Sequence, residues 1–442
     1  MKSLLARASW LLHSVFLLAL AAYILAGTAL VPFHGDEATI LFASRDYEYF
    51  VLRADPSLLR YTDTPSVEQD LRLRNGMVSK LLAGLAWHLA GYSVDDLPGP
   101  WDWGADFALN AQFGHLPQEG LLLAARWSSA LLLALGALIV FALGWRLGSM
   151  LSAPLPVAYL ASLYYALHPA LLLNGRRVMM EGSFTLFTLL IVLTGLLFLR
   201  AQNTRGQISA ALLLGACSGL ALASKQTALV IMAAVLAACG LYIFAAAVRR
   251  PAAKTRALLP LLWLALAGTL AAAVFLLLNP VWWDDPLART LQALQDRQNL
   301  LTGQSQFFGG YAGDALVGFW RQTLVALPQY YEAPGWDIHI AEQIARYEAS
   351  PLRGISMGGT DSGAAALLAL ALVGAWALLR AANGDNPTRL IFLTWVGVVL
   401  LLGLLLTPLE WQRYYLPVYP PLGLLAALGL VWLARALKTR LP

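Results

Sequence analysis

The chain consists of long apolar runs separated by short polar segments. A run of about 20 apolar residues is long enough to cross a bilayer as a helix. We predict about ten such helices, within a range of 8 to 13, at residues 10–32, 121–147, 153–173, 182–200, 208–223, 227–247, 258–279, 363–381, 388–407 and 415–435. The predicted fold class is an all-α polytopic membrane protein, with residues 1–442 in a single integral membrane domain.

Two of the connecting segments are long, and they cover residues 33–120 and 280–362. The first contains apolar residues at helical spacing after Asp36, followed by a short apolar stretch from Met77 to Tyr92. Both stretches are too short for a span and are interrupted by charged residues, which is typical of helices that lie along a membrane surface. We therefore expect interfacial helices in these segments.

The composition agrees with a membrane protein, because 59% of the residues are hydrophobic and only 12% are charged. An ordinary soluble domain has about twice that charged fraction. The two cysteines, Cys217 and Cys239, fall in predicted spans and indicate no disulfide framework.

Basic residues are concentrated at one set of helix ends, and Asp385 is the only acid among them. These ends carry Lys2, Arg7, Arg146, Arg200, Arg205, Arg249, Arg250, Lys254, Arg256, Arg380, Arg389, Arg435, Lys438 and Arg440. By the positive-inside rule both termini are cytoplasmic, and the two long segments lie on the outer face. The net charge of +5 is then a signal of orientation, and we expect no nucleic acid partner. The short basic loops and the lack of glycosylation sequons in the outer segments favour a bacterial plasma membrane.

Asp36 and Glu37 directly follow the first predicted span. Carboxylates at the exit of a membrane helix are costly and mark a candidate functional site. One of the two carboxylates could act as a general base for an acceptor group, with the other as a metal ligand or positioning residue. The structural alternative is that Asp36 caps the helix that follows it.

Further charged residues lie in the short outer connections. They are Arg176, Arg177 and Glu181 after the third span, Lys225 after the fifth, and Arg413 with Tyr414 before the last. Arginines of this kind can bind a phosphate through paired hydrogen bonds, and Glu181 could join the acidic pair. The alternatives are surface arginines at the lipid headgroups, a lysine that reaches towards water, and aromatic residues of the membrane interface. Trp283, Tyr330, Tyr331 and Trp336 are likewise either interface residues or a platform for sugar rings.

Five motifs in a fixed order resemble the GT-C membrane glycosyltransferases, and most strongly the branch of protein O-mannosyltransferases and lipid A aminoarabinose transferases. They read DEA after the first span, NGMVSKLLAG, NGRRVMMEG, GLALASKQTAL and RYYLPVYPPLGLLAA. The resemblance implies a polyprenyl-phosphate-linked sugar donor and places Asp36, Glu37 and Glu181 in the active site. Residues 74–80 read RNGMVSK where many protein mannosyltransferases have His-Pro-Pro before Gly-Lys, so the acceptor remains open: a lipid, a glycan or a protein.

These observations together predict an inverting glycosyltransferase. Asp36 would be the base, and the phosphate would be bound by the cations Arg176, Arg177, Lys225 and Arg413. Lys80, Trp283 and Tyr414 would contact the sugar or lipid. A divalent ion such as Mg or Mn, held by Asp36, Glu37 and Glu181, is a further prediction, and no other cofactor is expected. The alternatives are a transporter or flippase and a non-catalytic scaffold; transport is disfavoured because the ionisable residues lie at one interface and not within the spans.

Overall fold

The structure, a computed structural model, describes residues 2–249, 254–308, 315–332, 335–381, 385–405, 407 and 409–438. This described part is helical and contains no β-strand. Its helices are α1 (Lys2–Ala26), α2 (Gly35–Ala43), α3 (Val67–Arg74), α4 (Met77–Leu89), α5 (Phe107–Gln112), α6 (Glu119–Met150), α7 (Pro154–Leu167), α8 (Pro169–Arg176), α9 (Glu181–Arg200), α10 (Thr204–Ser224), α11 (Ala228–Val248), α12 (Lys254–Leu278), α13 (Pro286–Phe308), α14 (Ala315–Phe319), α15 (Ala341–Glu348), α16 (Asp361–Arg380), α17 (Asn386–Leu405) and α18 (Tyr419–Lys438).

Nine helices in the described residues are long and apolar enough to cross a membrane, and the bent pair α7–α8 brings the number of spans to ten. The other nine are α1, α6, α9, α10, α11, α12, α16, α17 and α18. The predicted all-α membrane fold with about ten spans is confirmed.

The bend between α7 and α8 measures 57° and is centred on His168. Pro169 causes it, because a proline lacks a backbone N–H and forces the preceding residue out of the helical region. His168 accordingly has extended dihedral angles, with φ −70° and ψ 118°. The bend sets the direction of α8 and thus the position of the arginines at its end.

Helix α6 connects the spanning bundle to the shorter helices of the segment 33–120. Its 32 residues form a rod of about 48 Å, longer than a bilayer's apolar thickness. The buried residues Leu133 and Val140 belong to the main core of the bundle, whereas Leu121 and Ala125 pack with residues of α2 and α4. The first turns of α6 therefore extend beyond the bundle and support the segment that carries Asp36.

The segments 33–120 and 280–362 contain shorter helices, α2 to α5 and α13 to α15. They share an apolar cluster in which Phe33 and Trp101 of the first segment pack with Tyr331 and Ile340 of the second. Helix α4 has 13 residues, and its length rules out a full crossing, as expected. The two segments therefore fold onto one another.

Candidate functional site

The site is built on the start of α2, where His34 is the N-cap residue. The His34 Nδ1 atom accepts the backbone N–H of Asp36 at 3.1 Å, and the Glu37 carboxylate accepts the backbone N–H of His34 at 3.1 Å. This reciprocal pair is a capping box with histidine in the place usually taken by serine or threonine. Asp36 is thus not the cap, and its carboxylate is free for other contacts.

Glu37 is completely buried and bonded to Arg126 of α6. Two hydrogen bonds of 2.7 and 2.6 Å join the guanidinium and carboxylate, and the backbone N–H of Val178 donates a third at 3.0 Å. Burial acts to raise the pKa of Glu37, but Arg126 outweighs it and holds the pKa below the ordinary value. Glu37 therefore joins α2 to α6 and to the segment after α8, and no reactant can reach it.

Asp36 has the most accessible carboxylate of the predicted acidic set. Its side chain is 26% exposed, against 0% for Glu37 and 2% for Glu181. It forms an ion pair with Arg413, which precedes α18. Burial acts to raise the pKa of Asp36, but the guanidinium of Arg413 outweighs it, and the pKa lies below that of an ordinary aspartate. Asp36 is ionised at neutral pH and can be reached by a substrate.

Arg413 also lies 3.3 Å from Glu332, in the second outer segment. Glu332 in turn is 2.7 Å from His34 Nε2. Since Nδ1 of His34 accepts the Asp36 backbone N–H, Nε2 carries the hydrogen and donates it to Glu332. Burial acts to raise the pKa of Glu332, but Arg413, His34 and Arg177 together outweigh it and lower the pKa. One arginine thus holds two carboxylates from different segments.

Arg413 is also one of three cations around the ring of Tyr414. The guanidinium carbons of Arg413 and Arg297 each lie 5.8 Å from the ring centroid, and Lys225 Nζ lies 5.9 Å from it. Arg297 comes from α13 and pairs with no carboxylate in the described residues. Clustered cations on an aromatic ring form a suitable site for an anion such as a phosphate.

Glu181, the first residue of α9, pairs with Lys225 through Oε1 at 3.1 Å. Its other oxygen, Oε2, is buried and has no hydrogen-bond partner in the described part of the chain. Burial lowers the pKa of Lys225, and Glu181 acts in the opposite direction. The structure thus brings Glu181, Lys225, Arg413 and Tyr414 together with Asp36, through Arg413.

Arg176 is not part of this cluster. Its guanidinium is buried and donates to the carbonyls of Tyr23 (2.9 Å) and Ile24 (2.7 Å), which belong to the end of α1, and to Leu352 (2.6 Å). Gly27 makes room for it, since a Cβ there would lie 2.3 Å from the guanidinium carbon. Arg176 thus caps the exposed carbonyls of α1, a role that leaves few donors for a ligand.

Three more predicted site residues have contacts of other kinds. Arg177 is buried and donates to the carbonyls of Pro32 (3.2 Å) and Tyr330 (2.8 Å). Lys80 is buried, donates to the Leu71 carbonyl at 3.1 Å and lies 3.8 Å from Asp46. Burial lowers the pKa of Lys80 to about 8. Trp283 donates to the Leu276 carbonyl at 2.6 Å, at the end of α12.

The three carboxylates predicted to bind a metal take three different cations. Asp36 pairs with Arg413, Glu37 with Arg126 and Glu181 with Lys225. No group of three or more metal-ligating side chains is found in the residues that the structure describes. The donor set therefore does not fit a shared divalent ion.

The comparisons with known proteins agree with the fold. The model of the dolichyl-phosphate-mannose-protein mannosyltransferase family matches residues 71–283, just under half of the chain. This stretch includes Glu181 and Lys225 and excludes Asp36, Glu332 and Arg413. No curated protein matches the chain.

Among solved structures, ArnT from Cupriavidus metallidurans bound to undecaprenyl phosphate is similar with a TM-score of 0.51 and 14% identity, covering 98% of this chain and 63% of ArnT. The apo form of ArnT gives a TM-score of 0.50 and 15% identity, with 98% and 62% covered. The oligosaccharyltransferase AglB from Archaeoglobus fulgidus gives 0.48 and 14%, with 97% and 52% covered. The chain thus spans less than two thirds of the length of these proteins.

The chain is an integral membrane protein with a fold of the GT-C type, and the predicted similarity to this group is confirmed.

Sequence analysis missed Arg126, Arg297 and Glu332. Arg297 lies in an amphipathic helix with other charged residues, and nothing in the sequence distinguishes it. Glu332 directly follows the Tyr330–Tyr331 pair. This position of an acid beside two aromatic residues was the one feature of the sequence that could have indicated it.

Proposed function

We propose that the protein is an inverting glycosyltransferase that transfers a sugar from a polyprenyl-phosphate-sugar donor to an acceptor hydroxyl. The observation that carries the proposal is the position of Arg413. Arg413 forms an ion pair with the accessible carboxylate of Asp36 and also lies, with Lys225 and Arg297, around the ring of Tyr414. A base and an anion site therefore lie next to each other, as a displacement at an anomeric carbon requires.

In this mechanism Asp36 accepts the proton of the acceptor hydroxyl as its oxygen bonds to the anomeric carbon. The bond between that carbon and the donor's phosphate oxygen breaks, and its electron pair leaves with the phosphate. A single displacement of this kind inverts the configuration. The leaving phosphate needs no proton, so one base is sufficient, and positioned base catalysis typically contributes about 10²–10⁴ in rate.

Stabilisation of the leaving phosphate falls to Lys225, Arg297 and Arg413. These side chains are partly buried, and partly buried cations act more strongly on a developing negative charge than fully exposed ones because less water screens them. Lys225 and Arg413 already pair with carboxylates, whereas Arg297 has none in the described residues. Arg297 is thus the cation most available to a phosphate. Tyr414, at the centre of the three, would pack against the phosphate or the adjoining sugar.

We assign Glu37, Arg176 and Arg177 to positioning and structure. Their polar atoms are buried and already bonded to other parts of the protein, so they hold the site in shape. We also propose that the three cations take the place of a divalent ion, so that EDTA leaves the activity unchanged.

The active site would lie on the non-cytoplasmic face of a plasma membrane, with both termini cytoplasmic. The support is the distribution of charge: the basic residues lie at the helix ends opposite to Asp36.

The test uses purified protein in detergent with a panel of radiolabelled polyprenyl-phosphate sugars, with water as the default acceptor. We expect sugar release by the unchanged protein and its loss in Asp36→Asn. Asp63→Asn is the matched control, an exposed carboxylate of the same outer segment. Equal release by Asp36→Asn and the unchanged protein would refute the role of Asp36. In a second assay with the protein in lipid vesicles, movement of the intact donor across the vesicle membrane without cleavage would instead support the transporter alternative.

A further inference from the structure

We infer that Trp103 and Trp336 form the acceptor subsite and that the acceptor is an uncharged saccharide. The inference rests on the proposed function, because it names the acceptor of that reaction. It comes from the aromatic side chains of the two outer segments that lie beside the start of α2.

These side chains form a continuous wall next to the catalytic carboxylate. Tyr331 stacks on His34 with ring centroids 4.6 Å apart and an interplanar angle of 25°. Trp336 is parallel to Tyr331 at 6.0 Å and 10°. Trp103 lies 5.7 Å from His34 and 5.5 Å from Trp336. Since His34 accepts the Asp36 backbone N–H, the wall begins within one hydrogen bond of Asp36.

The wall is held firmly relative to Asp36 by Gly35. The backbone N–H of Gly35 donates to the Tyr331 hydroxyl at 2.8 Å. A Cβ on Gly35 would lie 2.5 Å from the Trp101 ring, so no larger residue fits between Trp101 and the start of α2. The Trp101 backbone N–H also donates to Thr39 Oγ1, at 3.2 Å, within α2. A ligand on this wall would therefore keep a fixed distance to the base.

Trp103 is much more exposed than Trp101 and Tyr331, its aromatic neighbours beside the start of α2. Trp101 and Tyr331 are 5% and 9% exposed and belong to the apolar core of the outer segments. Trp103 is 38% exposed and lies outside that core. A large indole left accessible beside a reactive group, on a rigid support, is a feature of binding sites.

The charges around the wall determine which acceptor fits. The tryptophans have exposed acidic residues near them in sequence, Asp102, Asp106 and Asp337. Glu332 is hydrogen-bonded to His34 of the wall and pairs with Arg413. The cations Lys225 and Arg297 lie around the ring of Tyr414 and are not among the wall's contacts. An anionic acceptor would be repelled from this acidic side. A neutral sugar ring fits, because its C–H face packs on an indole while its hydroxyls donate to carboxylates.

The test measures binding and transfer separately, with neutral gluco- and manno-oligosaccharides as probes. The variants are Trp103→Ala and Trp336→Ala, and the control is Phe113→Ala, an exposed aromatic residue of the same outer segment. Binding is read by the change in tryptophan fluorescence. Transfer of labelled sugar to the oligosaccharide is compared with release to water.

We expect each tryptophan variant to weaken oligosaccharide binding, and to raise the KM for the oligosaccharide, by about tenfold, whereas Phe113→Ala should change both by less than about twofold. An oligosaccharide of uronic acids should bind more weakly than its neutral counterpart. The inference is overturned if the variants bind neutral oligosaccharides like the unchanged protein, or if a Ser/Thr peptide is the acceptor and the oligosaccharides do not bind. Failure of the proposed function would look different, since no donor would then be cleaved even with water.

Discussion

Asp36 and Glu37 are consecutive residues, but their carboxylates belong to separate ion pairs, one with Arg413 and the other with Arg126. Asp36 is partly accessible and part of a cluster that includes Glu332 and the cations around Tyr414. Glu37 is fully buried and has three hydrogen-bond donors from α6 and the segment after α8. The two acids therefore have different roles, and their substitutions should have opposite consequences.

Asp36→Asn should abolish sugar release without loss of stability, because the amide keeps the size of the side chain and removes only the base. Glu37→Gln should lower stability by about 3–5 kcal/mol, because it leaves the buried charge of Arg126 unpaired. Thermal unfolding in detergent and the release assay, run on both variants, check this. The reverse pattern, with an unstable Asp36→Asn and a stable but inactive Glu37→Gln, would contradict the assignment.

Arg413→Gln should shift the acidic limb of the pH profile upward. Arg413 holds the pKa of Asp36 below the ordinary value, so the unchanged protein should keep its base ionised, and its activity, until the pH falls below the usual aspartate range. Without the guanidinium, burial dominates and Asp36 becomes protonated at higher pH. The measurement is kcat against pH for donor hydrolysis. An unchanged acidic limb in this variant would show that the group titrating in this limb is not Asp36.

Glu181→Gln should shift the alkaline limb downward. Burial lowers the pKa of Lys225 and the charge of Glu181 raises it, so removal of that charge lowers the pKa further. The variant should lose donor affinity at a lower pH than the unchanged protein, as Lys225 becomes neutral. The measurement is the KM for the donor as a function of pH in the variant and in the unchanged protein. An alkaline limb at the same pH in both proteins would show that Lys225 does not bind the donor.

Arg297→Gln should weaken donor binding about tenfold, because a charge-assisted hydrogen bond contributes roughly 1.5–3 kcal/mol. Arg289→Gln is the matched control on the same helix, since its guanidinium packs on Tyr61 at 3.5 Å and not on Tyr414. The measurement is the KM for the polyprenyl-phosphate sugar at low and moderate salt. If the two substitutions had equal effects, Arg297 would act by stabilising α13 and not by binding the donor.

Arg176→Met should lower stability more than it lowers activity per folded molecule. The substitution leaves the carbonyls of Tyr23, Ile24 and Leu352 without their donor, and each unsatisfied buried group costs about 1–3 kcal/mol. Thermal unfolding and the specific activity of the monodisperse fraction are the two measurements. A stable variant with a raised KM for the donor would instead support the predicted contact between Arg176 and the donor phosphate.

The hydrophobic pattern was sufficient to predict the fold class, since the length of an apolar run and its ability to cross a bilayer follow from local composition. It also indicated that α4, from Met77, is too short to cross, and the motif order indicated the GT-C resemblance, both of which are confirmed. It was less informative at the break between α7 and α8, where Pro169 divides a single predicted run into two helices.

The site was only partly predictable. The sequence singled out Asp36, Glu181, Lys225, Arg413 and Tyr414, which the fold brings together from four separate segments. It could not assign partners to the arginines, because Arg176 and Arg413 look alike as basic residues near a helix end. One caps the carbonyls of α1, and the other lies between two carboxylates.

The sequence by itself determined the approximate number and length of the spans, the span ends near which the acids and cations lie, and the identity of the acids and cations available for chemistry. These are properties of neighbouring residues and of their transfer between water and lipid. The tertiary structure decided which carboxylate is accessible, which arginine pairs with no carboxylate in the described residues, and that Glu332 and Arg297 join the site from the segment 280–362. Such choices depend on contacts between residues far apart in the chain, such as Asp36 with Arg413, and no local pattern contains them.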